Sequence, residues 1–144
     1  MSAIGIRIKK LHPDFRVPEY KTEGAAGFDL VALSYHCFNS GQRYRIPLGF
    51  AIDVPPGYCL EIRPRSGNSL KGLDVHLGTI DSDYRGEVAA IVSYSTDDGY
   101  FYEINAGERI AQGVIVPILR ARLLEAEELS ETVRGAGGFG STGR

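Results

Sequence analysis

Two-residue alternation of apolar and polar side chains, broken at short intervals by turn chemistry, is what most constrains this chain. In "AIGIRIKK" the isoleucines Ile4, Ile6 and Ile8 fall on one side and Gly5, Arg7 and Lys9 on the other, the mark of a half-buried strand. "YCLEIRP" alternates the same way through Tyr58, Leu60 and Ile62. "EVAAIVSYS" (Glu87 to Ser95) and "RIAQGVIVPIL" (Arg109 to Leu119) are more continuously apolar and predict deeply buried strands. The turn formers "NSGQ", "VPPGY", "TDDG" and "NAG" separate these runs. Only two stretches suit a helix. "SGNSLKG" predicts one or two turns with Ser66 as N-cap and Gly72 as the C′ stop. "LLEAEELSE" (Leu123 to Glu131) fits either a helix or a strand followed by a polar linker. At 144 residues, with no internal repeat, the pattern predicts one all-β barrel or sandwich with antiparallel pairing.

Charge and residue usage exclude several kinds of function. The net charge of −2 gives no broad positive field, so neither a nucleic acid nor a membrane surface is an expected partner. Any phosphate recognition must come from local arrangement. "IAQGVIVPIL" is too short and interrupted to span a bilayer, and "MSAIGIRIKKL" lacks the apolar core of a secretory signal. A cytoplasmic protein, or one inside a host cell if viral, is expected. Cys37 and Cys59 make neither a metal spacing nor a disulfide framework, which leaves idle thiols in a reducing compartment. His12, His36 and His76 pair with no nucleophile, and no His/Cys cluster builds a metal site from protein alone.

Four internal stretches and the tail carry chemistry. "GAAGFDLVA" (Gly24 to Ala32) sets small residues before Asp29 on a strand; Asp29 is a strand-edge carboxylate or a partner for a metal. "IRPRSGNSLKG" places Arg65, Ser66 and Gly67 where a strand gives way to a short helix, an anion site or simple capping. In "LGTIDSDYRGEV" (Leu77 to Val88), Gly78 and Gly86 bracket a hairpin-like segment. Asp81 and Asp83 share a face if the strand there is regular. The segment is either a solvated acidic tip or a general base with Tyr84 as a flat wall. Gln112 lies in an otherwise apolar strand, so its amide bonds backbone or faces a ligand, since an unpaired buried amide costs about 1–3 kcal/mol. The tail "RGAGGFGSTGR" (Arg134 to Arg144) contains a formal GxGxxG, but four residues after Gly140 are too few for a dinucleotide-binding unit. It is either a structureless end or a lid. As a lid it offers a backbone nest, the Ser141 and Thr142 hydroxyls, the Arg134 fork and the Phe139 ring. Ordering about ten residues costs on the order of 10–20 kcal/mol, so such a lid closes only over a polyanion.

Read in order, "AAGFDL", "PRSG", "GTIDSDYRGE", "GERIAQ" and "RGAGGFGSTG" resemble the conserved motifs of the homotrimeric deoxyuridine triphosphatases (dUTPases), from about Gly24 to Gly143. The resemblance implies a distorted antiparallel β jelly roll over residues 1–133, with one short helix, and a mobile Gly-rich arm at 134–144. It implies a homotrimer with three shared sites, the third motif coming from a second subunit and the tail from a third. The implied reaction converts dUTP to dUMP and pyrophosphate, limiting uracil in DNA and supplying dUMP for dTMP synthesis. Asp81 matches the water-activating base, and Mg²⁺ rides on the substrate phosphates with its water shell held by Asp29. Arg65, Ser66 and Gly67 match the phosphate segment, with Ser66 near the bridging oxygen, and Gln112 matches a phosphate ligand. Arg134, Gly140, Ser141 and Thr142 match groups that close over the outer phosphates, while Phe139 covers the uracil. Main chain around Gly78 would read uracil against cytosine, and Tyr84 under the sugar would exclude a 2′-hydroxyl. The chain departs from the family pattern at Asn68-Ser69, at Asp74-Val75-His76 and at Gly113. Two rival readings are a dCTP deaminase, against which the "IDSDY" stretch and the long tail argue, and a nucleotide-sensing regulator that only binds.

Overall fold

Alternation becomes sheet in a computed structural model that describes residues 3–95 and 99–143. Strand β1 (Arg7–Lys10) pairs antiparallel with β5 (Phe50–Asp53), which sets Arg7 opposite Asp53. A four-stranded sheet runs β2 (Phe28–Val31), β11 (Arg109–Pro117), β6 (Tyr58–Arg63), β8 (Gly78–Ile80). A three-stranded sheet runs β4 (Arg43–Pro47), β9 (Ala89–Tyr94), β7 (Leu73–His76), and β3 (His36–Asn39) pairs with β10 (Phe101–Ile104). Every pairing is antiparallel, in a jelly-roll-like arrangement. Among the described residues the only helix is α1 (Ser66–Leu70). The inward face of each strand feeds one core around Phe50, Ile46, Leu60, Ile62, Leu73, Val92 and Ile110, and no polar or charged described residue is buried. Burial of each such side chain stabilises the fold by about 1.5–3 kcal/mol relative to exposure. Turns fall at three of the expected places. The Gln42 N–H donates to Asn39 O, Tyr58 N–H to Pro55 O and Glu108 N–H to Asn105 O. Gly41, Gly57 and Gly107 take the positive φ each of those turns needs. The turn expected at "TDDG" falls largely on residues outside those described.

The structure corrects several local expectations. Ile4 lies outside β1 and is exposed, whereas Ile6 and Ile8 pack against the core. β11 is largely buried through Ile110, Ala111, Gly113 and Val114, but β9 alternates: Ala90 and Val92 point inward while Ile91 is 48% exposed. Ser66 is not the N-cap. Arg65 holds that position with extended φ/ψ and no side-chain cap, and Ser66 is the first helical residue. Gly72 does provide the stop, at φ +93°. "LLEAEELSE" is neither helix nor strand but an exposed stretch, because a nine-residue helix with no surface to pack against is unstable. Nor do Asp81 and Asp83 share a strand face. β8 ends at Ile80, and the Tyr84 N–H donates to Asp81 O in a turn. The segment from Gly78 to Gly86 is no hairpin either: β8 pairs with β6, while β9 pairs with β4 and β7, so the chain there crosses between sheets.

Candidate functional site

A polar cluster forms where β2, β11 and the end of β6 meet. Gln112 stands in β11 directly between Asp29 of β2 and Arg63 of β6. Its amide Nε2 donates to Pro64 O at 2.9 Å, so the backbone alternative for Gln112 is the one realised within this chain. Gly27 makes the room for it, since a Cβ there would come within 2.8 Å of Gln112 Oε1. Asp29 is mostly covered and is held by two guanidinium groups, Arg65 Nε at 3.1 Å from Oδ1 and Arg109 Nη1 at 3.5 Å from Oδ2. Asn68 Nδ2 donates to Arg109 O at 2.9 Å, fastening α1, and with it Ser66 and Gly67, to the start of β11. The result is two cations and an uncapped helix start beside a neutralised carboxylate. A cleft of about 670 Å³ opens beside it, lined by Arg65, Asn68, Lys71, Phe101 and Arg109 among others.

No group of three or more metal-ligating side chains occurs among the described residues. Asp29 with two arginines on its oxygens cannot hold a bare divalent ion in place. Its remaining lone pairs suit the outer role, accepting hydrogen bonds from waters of an ion that a polyanion brings in.

The third motif forms a separate, exposed loop. Tyr84 folds back so that its hydroxyl donates to Glu87 O at 3.1 Å, and its ring lies where a Cβ at Gly86 would be 2.4 Å from that oxygen. A side chain at 86 would push the Tyr84 ring out of this position. Asp81 sits one position beyond the Leu60–Ile80 pair, beside Cys59. Burial first, then the charges of Glu61 and Asp81, push the Cys59 thiol upward, in keeping with Asp81 at that end of β6. Arg65 lies at the other end. Six residue steps separate positions 59 and 65, four of them within β6, about 20 Å for extended chain. Asp29, Arg65, Ser66, Gly67 and Gln112 are thus brought together, and Asp81 and Tyr84 are not among them.

Beyond the exit of β11, where the Ile118 N–H donates to Gly57 O, the chain makes a long exposed excursion. Leu119, Leu123, Leu129 and Val133 all face solvent. In the tail, Arg134 Nε donates to Gly137 O and Phe139 takes φ +52° with its side chain fully exposed. Gly140, Ser141 and Thr142 likewise meet no other element of their own chain in a cap over the cluster; they are exposed.

Sequence reasoning missed two partners that hold the cluster, Asn68 and Arg109 on Asp29, and the Asp53 contact with Arg85. Their signal was weak, because each acts through a contact with a residue at least 32 positions distant. Two departures from the family pattern also find physical reasons here. Gly113 is small because the Phe28 ring covers it, and a Cβ would meet Phe28 Cε2 at 2.4 Å. Asn68 is the fastener just described. His76, the third, contacts Ser93 Oγ at 3.2 Å across the β7–β9 pair.

A family model of dUTPases matches residues 14–143. A deoxyuridine 5′-triphosphate nucleotidohydrolase of Nautilia profundicola is 46% identical, over 96% of this chain and 99% of its own length. One from Wolinella succinogenes is 47% identical, over 96% and 94%. Among solved structures, the Staphylococcus bacteriophage 80alpha dUTPase with dUPNHPP superposes with a TM-score of 0.90 at 30% identity, over 99% of this chain and all of that one. A mutant dUTPase from phage phi11 of S. aureus, described with a structural Mg(II) ion, gives 0.78 at 25% identity, over 87% and 98%.

Proposed function

This chain belongs to the dUTPase family, and from that premise we propose that it hydrolyses dUTP to dUMP and pyrophosphate in sites shared between the subunits of a homotrimer. The reaction would limit uracil incorporation into DNA and supply dUMP for dTMP synthesis. The observation that carries the shared site is that strand pairing sets Asp81 near the Cys59 end of β6, while Arg65 lies just past its Arg63 end, about 20 Å away at one strand rise per residue. A base and a phosphate clamp must act within a few ångströms of one phosphorus, so a working site needs Asp81 from one chain and Arg65 from another. The exposed apolar arm fits the same reading. Its 16 residues from Ile118 to Val133 can span on the order of 50 Å, enough to carry the tail to a neighbour.

Asp81 takes a proton from the attacking water, which adds to the α-phosphorus in line with the leaving pyrophosphate; such a base contributes about 10²–10⁴-fold. Arg65 and the backbone N–H groups of Ser66 and Gly67 stabilise charge on the phosphate oxygens, and the Ser66 hydroxyl serves the bridging oxygen. Gln112 lends its second amide hydrogen. The substrate would be the Mg²⁺ chelate; Asp29 would hold the ion through its waters, and the ion would supply neutralisation of phosphate charge. Main chain at Gly78 matches the uracil edge, while Tyr84, held by Glu87, leaves no room for a 2′-hydroxyl. Arg134, Gly140, Ser141 and Thr142 close over the outer phosphates and Phe139 covers the base, the ordering cost being met only when the triphosphate is present. The closed lid is why an enzyme would carry an exposed glycine tail.

The test is to assay dUTP, dCTP, dTTP and UTP side by side, with and without Mg²⁺, on the wild type and on Asp81→Asn. Pyrophosphate release from dUTP alone, lost in Asp81→Asn with nucleotide binding retained, is expected. Ammonia release from dCTP would instead assign a deaminase, and substantial turnover by Asp81→Asn would remove it as the base.

A further inference from the structure

The loop that carries Asp81 has few packing contacts of its own, yet one side chain ties it down. Asp81, Asp83, Tyr84 and Arg85 are exposed, so apolar burial does little to hold the loop. Arg85 Nη1 donates to Ser82 O at 2.7 Å and to Tyr84 O at 3.1 Å, gripping the turn from inside. Its Nη2 donates to Asp53 Oδ1 at 2.7 Å. The other oxygen of Asp53 is taken by Arg7, its cross-strand partner on β1. Asp53 closes β5, whose preceding residues Phe50, Ala51 and Ile52 are buried in the core. Its backbone is therefore anchored in the core, while residues 81 and 83–85 of the loop lie on the surface.

We infer that the Arg7–Asp53–Arg85 chain of ion pairs positions the Asp81 loop for hydrolysis, with Asp53 and Arg85 as positioning residues that touch no substrate. The inference rests on the proposed role of Asp81 and deepens it. Arg85 is the loop's clamp because its planar fork bonds two carbonyl oxygens and a carboxylate at once, a geometry that lysine cannot reproduce. Asp53 fixes the direction of that fork. As an isolated exposed pair, Arg85 with Asp53 would contribute little to folding stability. Its effect should instead appear in catalysis, where a displacement of the base by about 1 Å costs on the order of 10²-fold. The N-terminal strand thus acquires a part in the active site through Arg7, although it holds no residue of any of the five motifs.

The experiment is steady-state dUTP hydrolysis by the full-length protein, normalised to folded material by circular dichroism. The variants are Asp53→Asn, Arg85→Lys, Arg85→Ala, the double variant Asp53→Asn with Arg85→Ala, and Asp81→Asn. Asp53→Asn should keep the wild-type melting temperature and lower kcat about tenfold to a hundredfold, with a smaller change in KM. Arg85→Lys should fall between wild type and Arg85→Ala. The double variant should be no slower than the slower single, because both remove one link. Wild-type kcat in Asp53→Asn, single effects that multiply in the double variant, or a loss that disappears on normalisation would each overturn the inference. If Asp81→Asn is inactive and Asp53→Asn is normal, only this inference fails; if Asp81→Asn is fully active, the reading beneath it fails as well.

Discussion

Mixing two inactive variants should restore activity if the site is shared. Asp81→Asn removes the base and Arg65→Gln removes a phosphate clamp, and each parent alone should lose about 10²-fold or more. In a single chain the two positions lie toward opposite ends of β6, about 20 Å apart at one strand rise per residue, and the proposed shared site takes them from different subunits. When the two variants are unfolded together in equal amounts and refolded, chains assort at random. A given site then works only if its base comes from an Arg65→Gln chain and its arginine from an Asp81→Asn chain. Each condition holds half the time, so about one quarter of wild-type activity should return in a closed symmetric ring. The assay is pyrophosphate release from dUTP, with native mass spectrometry on differently tagged chains to verify mixed trimers. If mixed trimers are present and activity stays at the parental background, base and arginine come from the same chain. The separation argument is then wrong.

Removing residues 134–144 should leave the melting temperature unchanged, because Phe139 is fully exposed in its own chain, while dUTP turnover falls about 10²-fold. Normal turnover in the truncated protein would refute the lid. Gly113→Ala places a Cβ 2.4 Å from Phe28 Cε2, and the overpacking should destabilise by about 1–3 kcal/mol, lowering the melting temperature by several degrees. An unchanged melt would show that the ring is not seated there. Burial holds the His36 imidazole below its ordinary range, so the folded state binds its proton less readily than the unfolded state. That contribution to stability is whole above about pH 6.5 and is lost as the pH falls below it. His36→Phe should therefore flatten the decline in melting temperature between about pH 7 and 5 measured by differential scanning calorimetry.

Much of the β architecture was legible because alternation is local: Tyr58, Leu60 and Ile62 announce β6, and the glycines of "NSGQ", "VPPGY" and "NAG" announce their turns. The errors fall where composition alone leaves the backbone open. Ser66 has the right chemistry for an N-cap, but the helix begins one residue earlier, with Arg65 in the extended N-cap geometry and its guanidinium on Asp29. Asp81 and Asp83 have strand spacing, but Arg85 and the Tyr84–Asp81 bond pull them into a turn. Ile91 has the apolarity of a core residue but stands on a face that this chain leaves open. In each case the composition was compatible with the expected element, and the fold chose a different backbone or face for it.

By itself the sequence determined which residues have phosphate, base and proton chemistry, and the order in which they occur, since those are properties of side chains and of spacing along the chain. Only the tertiary structure decided which of them can meet. Pairing registers place Asp29, Arg65 and Gln112 at one end of a sheet and send Asp81 to the other, and no local pattern encodes a distance between strands.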